Sequence, residues 1–215
     1  MKVLLVSLVL LCSSASAQAV RTADMEGMSE AARLAEYNRL SGELHRYAER
    51  QTWVAVEQAY LGCIATGADM KLSDHFHAAH AAQVRGDMKA TRERLGKALE
   101  VSGGNDRDLI EWLFAIDTTY SAVTITAYPG AVLSAERRPF DPVQSRAIDF
   151  AVQTLQQTGA FDGILPRGAY YVDGELIDIR MGKGAAIVTL EEPKARGKKR
   201  GPKPDKGPDR GNARR

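Results

Sequence analysis

The sequence predicts an α+β fold: an N-terminal helical bundle followed by a small antiparallel β domain with one inserted helix. Three observations carry that expectation. Between residues 29 and 117, apolar side chains recur at spacings of three and four, the period of an amphipathic helix, and Gly67, Gly86 and Gly103-Gly104 punctuate them. From Tyr120 the period falls to two, with Val123, Ile125 and Ala127 alternating with Thr124 and Thr126. Ile148, Ala151, Val152 and Leu155 then return to helical spacing within residues 142–158 before strand-like runs resume.

The helices can be justified in order. Residues 18–28 lack periodicity and read as a flexible lead-in. Ser29 is a good N-cap, and behind it Leu34, Tyr37, Leu40, Leu44, Tyr47 and Ala48 form a stripe that ends near Arg50. Thr52 can cap a second helix from Trp53 to Thr66, closed by Gly67, with Trp53, Val56, Tyr60 and Ile64 inward. Ser73 opens an alanine-rich helix in which Ala78, Ala79, Ala81 and Ala82 let a neighbour approach closely. After Gly86-Asp87, Thr91, Leu95 and Ala98 line one face of the next helix. Asn105 or Asp106 caps a closing helix through Leu109, Ile110, Leu113 and Ile116.

The second unit, residues 118–190, follows different rules. Pro129-Gly130 forces a turn before a strand around Val132 to Glu136. Pro142 fits the first position of the inserted helix, Asp141 with Gln144 resembles a capping box, and Gly159 ends it. Asp173-Gly174 lies between two alternating runs and is a strong hairpin signal, because both residues tolerate positive φ. Four or five antiparallel strands are expected. Gly182-Lys183-Gly184 sits between strands and opens no helix, so it reads as a β turn and not as a phosphate cradle.

Residues 73–100 resemble the helix pair of a tetratricopeptide repeat, in which Gly-Asp opens the second helix and a large apolar residue and an alanine follow at the spacing of Leu95 and Ala98. Trp53 and Tyr60 stand at the separation of the aromatic pair in such a repeat's first helix. The resemblance covers about one repeat; one period of about 34 residues before Ala79 lies His45, where a small residue would be wanted. It implies a surface for a protein partner, with no chemistry and no cofactor of its own. The turn and strand Leu165-Pro166-Arg167-Gly168-Ala169-Tyr170 is similar to the closing hairpin of PEGA and carboxypeptidase-regulatory modules. The whole layout resembles uncharacterised exported bacterial proteins.

Met1-Lys2, the apolar run Val3 to Leu11 and the small residues Ala15-Ser16-Ala17 have the three parts of a secretory signal peptide, residues 1–17. Export to the periplasm or beyond follows as an expectation, with Gln18 as the new N-terminus. The apolar run is shorter than the about 20 residues of a spanning helix, so no transmembrane segment is expected after cleavage. Leu11 stands where a lipid-attachment motif before Cys12 needs a small residue. Removing the signal leaves Cys63 alone, so no intramolecular disulfide can form; Cys63 reads as a small buried hydrophobe, with an intermolecular bridge as the alternative.

The net charge of +2 averages two unlike regions. Residues 193–215 hold ten Lys or Arg against two Asp, a charge of +8, which leaves −6 on the rest of the chain. Of those 23 residues 18 are Lys, Arg, Pro or Gly and none is aromatic or branched aliphatic, so residues 191–215 are expected to form a disordered basic tail. Behind an export signal, Lys198, Lys199, Arg200 and Lys203 are candidates for binding an anionic envelope polymer or a membrane surface.

Ligand-type residues cluster once, at Asp74, His75, His77 and His80. At 100° per residue, Asp74, His77 and His80 share an arc of about 120° and could reach a common ion, whereas His75 points elsewhere. A zinc site wants ligands from more than one element, and no partner segment declares itself, so the ordinary reading is a polar helix face. No Gly-x-Ser-x-Gly elbow, no histidine pair four apart around a glutamate and no phosphate loop ending in Gly-Lys-Ser/Thr occurs. The expected function is a non-enzymatic, exported interaction protein of the scaffold or adaptor kind, without catalytic residues. The alternatives are an envelope hydrolase or metal-dependent enzyme using the His77/His80 face, and a polyanion-binding surface protein acting through its tail.

Overall fold

Five helices follow one another through the first part of the computed structural model, which describes residues 27–136, 140–180 and 186–191. Helix α1 spans Glu30–Glu49 and is capped by Ser29, whose side chain accepts from the Ala32 N–H at 3.3 Å. Its buried stripe is Tyr37, Leu40, Leu44 and Ala48, while Leu34 lies outside the packing and is 52% exposed. Helix α2 (Trp53–Thr66) starts without a bond from the Thr52 side chain and ends at Gly67 with φ +68°. Its inner arc is Val56, Ala59, Tyr60 and Cys63. Ile64, expected inward, is 51% exposed instead, because the neighbouring helix meets α2 on the Cys63 side of the arc.

Helices α3 (Leu72–Arg85) and α4 (Met88–Val101) fold back on each other about Gly86-Asp87. Helix α3 begins ahead of Ser73, since Asp74 reaches back to the Lys71 N–H at 3.4 Å. Ala78, Ala79, Ala81 and Ala82 are all 0% exposed, as are Thr91, Leu95 and Ala98 opposite them. The Asp87 side chain accepts from the Ala90 N–H at 3.0 Å and starts α4. From α4 an ion pair with no counterpart in the apolar pattern reaches α2: Arg94 grips Glu57 at 2.6 and 2.7 Å. The same guanidinium donates to the Ala78 carbonyl at 2.9 Å and lies 4.5 Å from the Tyr60 ring centre. Burial raises the Glu57 carboxyl, but the bonds and charge of Arg94 and the charge of Arg85 outweigh it and hold the group below the ordinary carboxylate range. Removing one partner of such a buried pair costs about 3–5 kcal/mol.

Helix α5 (Arg107–Thr119) is capped by Asp106 and turns Leu109 and Ile116 inward. Ile110 and Phe114 face out, 44% and 68% exposed, so the closing helix is narrower on its buried side than its apolar content suggested. It passes directly into β1 (Tyr120–Thr126). Then come β2 (Leu133–Ala135), helix α6 (Pro142–Thr158), β3 (Ala160–Pro166), β4 (Gly168–Val172), β5 (Glu175–Ile179) and β6 (Ala186–Thr189).

These strands divide into two sheets of three, ordered β3-β1-β6 and β2-β4-β5. The expected single sheet of four or five strands is thus split, and β6 lies parallel to β1 while the other pairs are antiparallel. Only Arg167 separates β3 from β4, and Gly168 at φ +153° turns the chain from one sheet into the other. Strand pairing is decided there by a corner that alternation cannot reveal. The β4–β5 hairpin is as expected, with Asp173 and Gly174 at φ +50° and +88° between Val172 and Glu175.

Helix α6 joins the two halves. Asp141 caps it through the Val143 and Gln144 N–H groups at 3.1 and 2.9 Å, and Gly159 ends it. Its first turns place Val143 and Ala147 against Met88, Leu95, Ile116 and Tyr120, while Ala151 and Leu155 pack with Val123, Ile125, Phe161 and Tyr170 between the sheets. The contact with the helix pair is made at Gly86, where an added Cβ would fall on the Arg146 carbonyl and within 3.0 Å of Phe150 Cβ. Residues 1–26, which carry the signal and most of the lead-in, the segment Gly182-Lys183-Gly184, and the tail from 192 onward lie outside the described residues.

Candidate functional site

Helix α3 carries all four residues singled out for ligand chemistry, and the fold gives them different surroundings. Asp74 is 0% exposed. Its carboxylate accepts from Tyr37 Oη at 2.6 Å and Ser41 Oγ at 2.9 Å, and lies 2.9 Å from His45 Nε2, tying α3 to three successive turns of α1. Burial raises the Asp74 carboxyl, yet the bonds from Tyr37, Ser41, His45 and the Lys71 N–H win and hold it below the usual carboxylate range. Burial and the same bond push the Tyr37 hydroxyl up to about 12. Asp74 is therefore a structural anion whose lone pairs are already committed.

His75, 6% exposed, turns away from this face toward Tyr60, whose hydroxyl lies 3.1 Å from its Nδ1. His77 and His80 remain partly exposed and enter a chain of rings. His45 of α1 meets His77 edge-on at 5.0 Å, His77 meets Phe76 at 5.9 Å, and Phe76 meets Trp112 of α5 at 5.8 Å. Trp112 then meets His80 at 6.5 Å, and His80 stacks on Trp53 of α2 at 4.6 Å and 13°. Six partly exposed rings from four helices thus form one continuous face. Both tryptophans of the chain belong to it.

Two of its imidazoles, His77 and His80, are pushed toward the neutral form. Burial, then the proximity of His45 and of His80, pushes the His77 imidazole below its ordinary value, and burial alone does so for His80. His80 Nδ1 is enclosed and makes no hydrogen bond among the described residues. As a ligand set, Asp74, His77 and His80 are not brought together: among the described residues no group of three His, Cys, Asp or Glu could hold a metal ion. The reason is that Asp74 is spent on α1 and His80 is stacked on an indole. Cys63 is 0% exposed, and burial followed by the charge of Asp74 raises its thiol to about 12, so it carries no reactive thiolate.

Periodicity marks Trp53 as core and singles out none of His45, Phe76 and Trp112 as site residues. The available signal was the adjacency of Phe76 and His77 with His80 one turn on; what was missing was the helix order that brings α1 and α5 to either side of α3. No described helix is long and apolar enough to cross a membrane. The candidates Lys198, Lys199, Arg200 and Lys203 lie outside the described residues. No protein-family model, curated protein or solved structure matches the chain.

Proposed function

We propose that this chain is an exported, non-enzymatic interaction protein whose helical unit holds a protein partner on the face built from His45, Trp53, Phe76, His77, His80 and Trp112. The observation that carries the reading is the continuity of that face, six rings joined by five ring contacts across four helices yet open to solvent. Aromatic side chains are the groups most enriched where one protein buries another, because each offers large apolar area with few rotatable bonds. The imidazoles of His77 and His80, pushed toward the neutral form, add donors and acceptors with little cost in charge desolvation. A metal-dependent hydrolase on the same face is disfavoured by the commitment of Asp74 to α1.

The test is a photo-crosslinking amino acid placed at His77 in cells, with a control at Ile187, which is 75% exposed on the β unit. One discrete adduct from position 77 and none from 187, lost on Trp112→Ala with the melting temperature kept, is expected. Identical adducts from both positions, or none from 77, would overturn the reading.

A further inference from the structure

A concavity of about 530 Å³ lies between the C-terminal half of α2, the loop after it and the C-terminal half of α4. That volume suits a small molecule. Its floor is polar and buried: Tyr60 is 2% and His75 6% exposed, and their 3.1 Å contact fixes the imidazole orientation. Nε2 of His75 makes no hydrogen bond among the described residues. Its walls are apolar and unusually open, with Ile64 of α2 and Val101 of α4 51% and 50% exposed and Met70 of the loop beside them.

The rim carries both signs of charge. Lys97, Glu100 and Asp69 line the groove, and none has an ion-pair partner among the described residues. The basic residues Lys89, Arg92 and Arg94 of α4, by contrast, are paired, with Asp162, Asp117 and Glu57. One cation and two anions around an apolar-walled groove suit neither a plain anion nor a plain cation. They suit a molecule that carries both.

We propose that this groove binds a free α-amino acid with an aliphatic or aromatic side chain. The ligand carboxylate meets the Lys97 ammonium and the His75 Nε2–H, which carries the proton when Tyr60 donates to Nδ1. The ligand ammonium lies toward Asp69 and Glu100, and the side chain covers Ile64, Met70 and Val101. Burial, with the nearby Lys97 charge, keeps His75 neutral, so the ring acts as a directed donor and adds no charge of its own.

Isothermal titration of the full chain with L-leucine, L-methionine and L-phenylalanine tests this, with N-acetyl-L-leucine and L-leucinamide as analogues lacking one charge. At least one amino acid should bind, and both blocked analogues should bind about tenfold more weakly or not at all. Lys97→Met and Ile64→Ser change exposed side chains, so the fold should be kept, as an unchanged melting temperature would show, while affinity falls about tenfold. No binding up to about 10 mM, equal binding of the blocked analogues, or full affinity in both variants would overturn the proposal. None of these results bears on the ring-lined face, which lies across α3 from this groove.

Discussion

Asp74 and the histidines around it show how single side chains set the acid response of this protein. His75, His77 and His80 all have ring pKa values below the 6.5 of a solvated histidine, with burial the leading cause. The unfolded chain therefore takes up protons as pH falls through 6.5 while the folded chain does not, so stability is present above that pH and declines below it. Asp74 and Glu57 are also depressed, relative to carboxylates, and their contribution is present above the unfolded value near 4 and lost as pH falls through their folded values. Two acid limbs result. Urea midpoints measured from pH 7.5 to 3 should begin to fall below about pH 6.5, the unfolded histidine value, and fall further below about 4. His80→Phe keeps the stack on Trp53 and should flatten the first limb alone; a first limb unchanged in His80→Phe would show that this ring stays solvated.

At the scale of elements, Gly86 has a double role. Its φ of +88° closes α3, as Gly67 at +68° closes α2, and either change to Ala should cost about 1 kcal/mol for the left-handed backbone. Only Gly86 is also the place where α6 lies on the helix pair, with the Arg146 carbonyl carbon 2.6 Å from an added Cβ; at Gly67 nothing comes within 4 Å. Gly86→Ala should therefore lose about 2–4 kcal/mol against about 1 for Gly67→Ala, as overpacking adds to the backbone strain. Equal losses in chemical denaturation would show that α6 does not bear on that turn.

On the scale of the whole molecule, the helical and β parts share side chains instead of meeting through a linker. Tyr120, Val143, Ala147 and Ile164 from the second part complete the core built on Leu95 and Ile116, and Arg167 binds back to the carbonyls of Asp117 and Thr118. Residues 193–215 carry a charge of +8 against −6 on the remainder of the chain. Deleting 193–215 should leave the melting temperature nearly unchanged, because the segment has no large apolar side chain to contribute. It should lower the salt at which the protein elutes from anionic vesicles and from a sulfated polysaccharide resin, since such attraction is screened over about 8 Å at physiological ionic strength. Equal elution of full-length and truncated protein would remove any polyanion role for Lys198, Lys199, Arg200 and Lys203.

The sequence by itself determined what depends on neighbours along the chain. The helix caps at Ser29, Asp87, Asp106 and Asp141, the glycine ends at 67, 86 and 159, the Asp173-Gly174 hairpin and the Ala78/Leu95 seam are local rules of backbone and period, and each is where those rules place it. Only the tertiary structure decided the rest: the parallel β1–β6 pair, the Glu57–Arg94 clamp, the withdrawal of Asp74 from its histidine neighbours, and the meeting of Trp53 and Trp112 on His80. Each of these joins residues dozens of positions apart. Periodicity tells which face of an element is buried but not which element buries it, and the chemistry of a site depends on the second.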